Sequence, residues 1–209
     1  MITFEEYENA LKQRHGERIH NILSHSSVAI AGLGGLGSNI AMYLARAGVG
    51  HLHLVDFDKV DITNLNRQQY DIADLGTLKT DALTKNKRFN PFIEITSQCV
   101  KVNEDNAAEI FGGYKIVCEA FDKAENKAML VNSILSECGD TKIVSGSGMA
   151  GFGSSNTIVT RKINDRFYLC GDAESDMNDG LALVAPRVAI CAAHEANMIL
   201  RLLIGEKEV

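Results

Sequence analysis

Residues 27–56 read SVAIAGLGGLGSNIAMYLARAGVGHLHLVD, and the fold follows from this stretch. Ser27–Ala31 is a short apolar run, as expected of a strand buried on both faces of a parallel sheet. Gly32-Leu33-Gly34-Gly35-Leu36-Gly37 is a G-x-G-x-x-G turn. Ser38 to Ala47 reads as a helix, stopped by Gly48. His51–Val55 is a second strand, and Asp56 closes it, 19 residues after Gly37. In such a unit Gly32 permits the tight turn, and Gly34 and Gly35 let a phosphate approach the backbone. Gly37 allows the helix to pack closely on the strand. The helix start offers free N–H groups and the positive end of a dipole. Asp56 stands where a carboxylate accepts hydrogen bonds from ribose hydroxyls. This predicts a nucleotide site without choosing the nucleotide, since an NAD-dependent dehydrogenase reads the same up to Asp56.

The next segment discriminates. Asp56-Phe57-Asp58 is followed by Asn64-Leu65-Asn66-Arg67-Gln68 and then by Lys79. A dinucleotide pyrophosphate is satisfied mainly by backbone donors. A triphosphate carries more charge and calls for cations. Arg67 and Lys79 lie just beyond the second strand and can arrive over the carboxyl ends of the strands, where such folds bind ligands. The competing reading is that both are solvated surface cations.

Working outward, residues 4–25 read as one helix with apolar positions at Leu11, Ile19, Ile22 and Leu23. Residues 56–75 are polar and irregular. Gly76–Phe89 reads as a helix ended by Asn90-Pro91. Strands are expected at Ile93–Val102, Tyr114–Ala120 and Thr141–Ser145, with helices at Glu104–Ile110 and Lys123–Cys138. The alternation predicts an α/β, Rossmann-like, doubly wound and mostly parallel sheet. Then the pattern changes. Asn156–Lys162 and Arg166–Leu169 read as an antiparallel hairpin, residues 171–180 as a mobile acidic segment, and Pro186–Ile204 as a long helix. The expected organisation is a single domain over 1–209. It comprises a helical N-terminal segment (1–26), a nucleotide-binding core (27–155) and a C-terminal elaboration (156–209).

The 209 residues carry 45% hydrophobic and 23% charged side chains, with a net charge of −6. This is the balance of a soluble globular chain, and it argues against broad contact with nucleic acid. No run approaches the ~20 apolar residues of a membrane span, and the charged N-terminus does not look like a signal sequence. A cytoplasmic protein is the expectation. The five cysteines include no C-x-x-C pair, so neither a disulfide framework nor a structural zinc is expected. Cys118 and Cys191 read as buried thiols. His51 and His53 share a strand face and read as an ordinary hydrogen-bonded pair rather than metal ligands. His15, His20 and His25 do not share a helical face.

GLGGLGSNIAMYLARAGVG followed by LVDFDKVDITNLNRQ resembles the ThiF/MoeB family, relatives of the ubiquitin-activating enzymes. The similarity runs from about Val28 to about Thr160. It implies a Rossmann-like domain, usually in a homodimer, that uses Mg-ATP to adenylate the Gly-Gly tail of a ubiquitin-like sulfur carrier, with a thiamine-type carrier expected. By that resemblance Asp56 would hold the ribose, with Asp58 beside it. Asn64, Arg67 and Lys79 would contact phosphates, and Asp122 would coordinate magnesium. Arg14, or else Arg18, would be the N-terminal arginine that often reaches the nucleotide of the other subunit. Some relatives carry a catalytic cysteine, and Cys170 is the one candidate here. The glycine-rich Gly146–Gly153 would either admit the carrier tail or form a tight crossover. Within the family, an ATP-dependent cyclase acting on a modified tRNA base is the alternative. From other classes, a dehydrogenase or an inactive scaffold subunit remain.

Overall fold

In the computed structural model, residues 2–85 and 90–209 are described. The expected N-terminal helix is two: α1 (Phe4–His15) and α2 (Glu17–Ser24). Thr3 and Glu6 form a capping box at the start of α1. The break falls at Gly16, whose φ of +78° ends the helical path. Then come β1 (Ser27–Ala31), α3 (Gly35–Arg46), β2 (His51–Val55) and α4 (Lys79–Lys85). The helix expected over 76–89 thus begins later, and its residues 86–89 lie outside the described residues. β3 (Glu94–Gln98), α5 (Glu104–Phe111), β4 (Ile116–Glu119), α6 (Ala124–Glu137) and β5 (Lys142–Gly146) follow. β6 (Val159–Lys162), β7 (Phe167–Gly171) and α7 (Ala185–Leu203) complete the chain.

The seven strands form one sheet in the order β3-β2-β1-β4-β5-β7-β6. All pairings are parallel except β6 with β7. The doubly wound sheet and the antiparallel C-terminal hairpin are therefore as the sequence predicts. The strand order reverses between β1 and β4. The crevice outside their carboxyl ends is where open α/β sheets hold ligands.

Alternation along β1 shows how the sheet is covered. Val28 and Ile30 face a core that includes Ile40 and Leu44 of α3 and Val188, Cys191 and Ile199 of α7. Ala29 and Ala31 face a second core with Phe111 of α5 and Leu130 and Ile134 of α6. Each such Ile or Leu contributes about 1.5–3 kcal/mol by burial, so both helical layers are fixed to the sheet that carries the turn. The apolar stripe of α7 is covered within the chain by α3 and the sheet. Surplus apolar surface on α7 is thus no argument for a dimer. Among the described residues no helix is long and apolar enough to cross a membrane.

Candidate nucleotide site

The glycine turn leaves β1 at the strand-order reversal. Gly32 has φ +91°, and a Cβ there would lie 2.7 Å from the Ala120 carbonyl oxygen at the end of β4. A Cβ on Gly37 would lie 1.8 Å from the Gly32 carbonyl oxygen. Both positions therefore require glycine. Gly34 differs: only the Gln68 amide nitrogen comes near, at 3.9 Å from its would-be Cβ. Space beside Gly34 is open, and Gly34 caps α3 with no side chain closing the helix start. The first N–H groups of α3 thus face a space a phosphate oxygen can enter.

Asp56 fastens this turn. Its Oδ2 accepts from the Leu33 N–H at 2.6 Å and its Oδ1 from the Asp58 N–H at 2.7 Å. Burial raises its pKa, opposed by Lys79 and by these N–H donors. Each carboxylate oxygen has two lone pairs, so a hydroxyl can still be accommodated. Lys79 opens α4 and is buried. Its Nζ lies 3.0 Å from Asp58 and 4.0 Å from Asp56. The lysine predicted to be a free phosphate ligand is therefore already shared between two carboxylates.

Arg67 lies over the turn. Its Cγ and Cδ stand 3.5 and 3.6 Å from the Cβ position of Gly35. Its Nη1 donates to the Thr63 carbonyl and to Asn66 Oδ1. Burial lowers its pKa, yet a guanidinium stays charged. Two buried side-chain atoms here lack a partner: Arg67 Nε and Gln68 Oε1. Asn64, a predicted phosphate contact, is used locally, its Oδ1 accepting from the Asp61 N–H.

Sequence reasoning missed what holds this loop in place. Ser38 donates to the Gly34 carbonyl and accepts from the Gln69 N–H. Asn39 donates to the carbonyls of Gly35 and Arg67 and accepts from the Gln69 amide. The Tyr70 hydroxyl donates to the Leu33 carbonyl. A hydroxyl and an amide in the first turn of α3 were the available signal.

Asp122 follows Ala120 and Phe121, which lie against Gly32, so the two chain segments meet at the crevice. It is exposed, and no side chain caps α6, whose N-cap is Lys123. Arg14 is not brought to the site of its own chain. α1 packs through Leu11 on Gly48 and through Phe4 and Tyr7 on Phe92. Those contacts lie at the amino ends of β2 and β3, opposite the turn. Arg14 and Arg18 are exposed there.

The 146–153 loop is stapled from within. A Cβ on Gly148 would lie 2.0 Å from Asp172 Oδ1, and Gly153 lies against the Arg187 guanidinium. Buried Arg187 donates to the carbonyls of Ala150, Gly153 and Ser154 and to Asp172. The start of the supposedly mobile acidic segment is thus held, and hydrogen bonds from Ser175 and Glu174 to Asp172 reinforce it. These bonds favour the tight-crossover reading of the loop. Cys170 is buried, and burial pushes its thiol up to about 12. A nucleophile needs the thiolate, so Cys170 is unsuited to that role. His51 and His53 both bond Thr96 and stack on Tyr114, as an ordinary structural pair does.

At the crevice Arg67 lies over the turn and Lys79 is shared by Asp56 and Asp58, while Asp122 and Lys123 follow the segment that meets Gly32. Beside Gly34 the chain offers backbone N–H groups and open room.

Residues 7–209 match the family model described as ThiF family. The adenylyltransferase and sulfurtransferase UBA4 of Saccharomyces cerevisiae is 28% identical over 218 residues, covering 98% of this chain and 49% of the relative. UBA4 of Scheffersomyces stipitis is 38% identical over 129 residues, covering 61% of this chain and 29% of the relative. The chain thus spans half or less of the length of these curated relatives. Among solved structures, the E. coli tRNA N6-threonylcarbamoyladenosine dehydratase TcdA in complex with AMP aligns with a TM-score of 0.86 at 20% identity, covering 98% of this chain and 97% of that one. E. coli MccB with ATP aligns with a TM-score of 0.70 at 20% identity, covering 90% and 59%. At this identity the likeness is one of fold.

Proposed function

The chain belongs to the ThiF family, and from that premise we propose that it uses ATP to adenylate the C-terminal carboxylate of a small ubiquitin-like sulfur carrier ending in Gly-Gly, with thiamine biosynthesis as its setting. The observation that carries the reading is the pair of buried, unpartnered atoms, Arg67 Nε and Gln68 Oε1, on side chains that lie against the turn, Arg67 at Gly35 and Gln68 at Gly34. Unpaired buried polar groups are costly, and a nucleotide in the crevice relieves that cost.

The chemistry is attack of a carboxylate oxygen on the α-phosphorus, with pyrophosphate leaving. The carboxylate is ionised at neutral pH, its ordinary pKa being about 3.5, so no general base is needed. The difficulty is bringing an anion to a polyanion. Positioning and charge neutralisation therefore carry the catalysis. The N–H groups at the start of α3 receive phosphate oxygens, and Arg67 adds a charged donor. Lys79, tied to Asp58, balances the carboxylates that organise the turn and the ribose side.

Asp122, exposed beside the turn, is the group available to magnesium, which takes one or two protein carboxylates plus phosphate oxygens. If bound there, magnesium would supply positive charge against the departing pyrophosphate. Among the described residues no group of three or more His, Cys, Asp or Glu is arranged for a metal. A second copy of the chain would bring Arg14 to the site that its own chain leaves out of reach, which is the reason to propose a homodimer.

The test is exchange of labelled pyrophosphate into ATP, with and without a Gly-Gly-ending carrier. Carrier-dependent exchange is expected. ATP turnover that requires tRNA instead would favour the tRNA-modifying reading suggested by the TcdA-like fold. Tight NAD binding without an ATP signal would overturn both.

A further inference from the structure

Glu119, the last residue of β4, is fully buried and saturated with donors. Its Oε1 accepts from the Phe121 backbone N–H at 2.7 Å. Its Oε2 accepts from Ser145 Oγ of β5 at 2.5 Å. The Lys127 ammonium of α6 reaches both oxygens, at 3.3 and 3.1 Å. A buried ion pair of this kind is a poor source of stability, because apolar residues of equal volume often do as well or better. Its geometry, however, does something apolar residues cannot. It fixes the N–H of the residue immediately before Asp122.

Little else orients Asp122. Its side chain is exposed, and α6 begins without a side-chain cap. The preceding peptide is held from below, the Ala120 N–H donating to Ala31 and the Ala120 carbonyl lying under Gly32. Glu119 supplies the next anchor. The neighbouring acid, Glu195 of α7, is fully buried against the thiols of Cys118 and Cys191, and burial pushes it up to about 8.

We propose that Glu119 is a positioning residue: through the Phe121 N–H it aims the Asp122 carboxylate into the crevice, and Lys127 and Ser145 lock it in that pose. The inference rests on the assignment of Asp122 to the metal–nucleotide. Two double variants isolate the acceptor. Glu119→Gln with Lys127→Met keeps an oxygen for the Phe121 N–H, whereas Glu119→Leu with Lys127→Met removes it. Neither leaves a lone buried charge.

Binding of Mn²⁺ in the presence of α,β-methylene-ATP is read by electron paramagnetic resonance, alongside melting temperature. The Gln variant is expected to bind Mn²⁺ nearly as the unsubstituted chain does. The Leu variant is expected to bind about tenfold or more weakly, the usual loss when support of a metal ligand is removed. Equal binding by two folded variants overturns the proposal while leaving the proposed function standing. An unsubstituted chain that binds no Mn²⁺–nucleotide overturns the assignment of Asp122 and this inference with it. Should the Leu variant fail to fold, amide exchange in the unsubstituted chain decides. A slowly exchanging Phe121 amide is expected, and a rapidly exchanging one overturns the proposal.

Discussion

The Asp56 carboxylate accepts a 2.6 Å hydrogen bond from the backbone N–H of Leu33, so the end of one strand clasps the glycine turn that leaves its neighbour. A residue read from sequence as a ribose ligand is also a structural fastener. Asp56→Ala leaves the Leu33 N–H unpaired and brings Lys79 one partner short. The expected cost is about 1–3 kcal/mol of stability, together with weaker ATP binding. Thermal unfolding and calorimetric titration of the same variant check this. Weakened binding at an unchanged melting temperature would show that the clasp contributes nothing.

Arg67 presents a contrasting case. Its Nε is buried and unpartnered, and its two Nη1 bonds, to the Thr63 carbonyl and Asn66 Oδ1, are exposed, so the apo chain gains little from it. Arg67→Ala should barely alter the melting temperature while weakening ATP binding by about tenfold or more, as loss of a charge-assisted contact of ~1.5–3 kcal/mol implies. Arg67→Lys should rescue this only in part, since an ammonium lacks the planar fork. ATP affinity unchanged in the Ala variant would remove Arg67 from the site.

Asp122 bonds to no helix start, because α6 has no side-chain cap. Asp122→Ala is therefore expected to melt with the unsubstituted chain and to lose about a hundredfold or more in carrier-dependent exchange, several kcal/mol of transition-state stabilisation. Were it a hidden cap, stability would fall by about 1 kcal/mol with exchange intact. Measuring both on one sample separates the cases.

Glu195 imposes a pH dependence on stability. Burial raises its pKa from 4.5 to about 8. Between those values the folded chain holds a proton that the unfolded chain has released. Stability therefore falls as pH rises through this window, by up to about 1.4 kcal/mol per pH unit, and levels off above it. Glu195→Gln should flatten that slope. Urea unfolding at several pH values from 5 to 8 measures it, and parallel slopes in the two chains would refute the assignment.

Of the five free cysteines, Cys99 is exposed and Cys118, Cys138, Cys170 and Cys191 are buried. Burial raises the pKa of each of the four. A thiol reagent should therefore modify Cys99 alone in the native chain, with the other four reacting only in denaturant. A cysteine that takes over the activated carrier acts after pyrophosphate has left, so the readout is a thioester between chain and carrier: none is expected, and a thioester that disappears in a folded Cys170→Ser chain would restore the cysteine as a participant.

The sequence by itself determined the sheet and the turn. Apolar runs such as Ser27–Ala31 and His51–Val55 are set by burial on both faces, and Gly32 and Gly37 by steric room that only glycine supplies. Those are local demands, legible wherever the residues stand in order. The tertiary structure decided how the charges are used. Lys79 reads as a free cation, yet folding places it between Asp58 and Asp56. Arg14 reads as an arginine for the nucleotide of the other subunit, and the bend at Gly16 and the packing of Leu11 on Gly48 hold it at the end of the sheet opposite its own chain's turn. Cys170 reads as beside a mobile loop, yet β7 buries it next to β5. Ser38, Asn39, Gln69 and Glu119 gain their roles from partners up to 31 residues away. Electrostatic and hydrogen-bonding roles depend on distance in space, and chain order does not encode that distance until the sheet has brought the carboxyl ends of β1, β2 and β4 together.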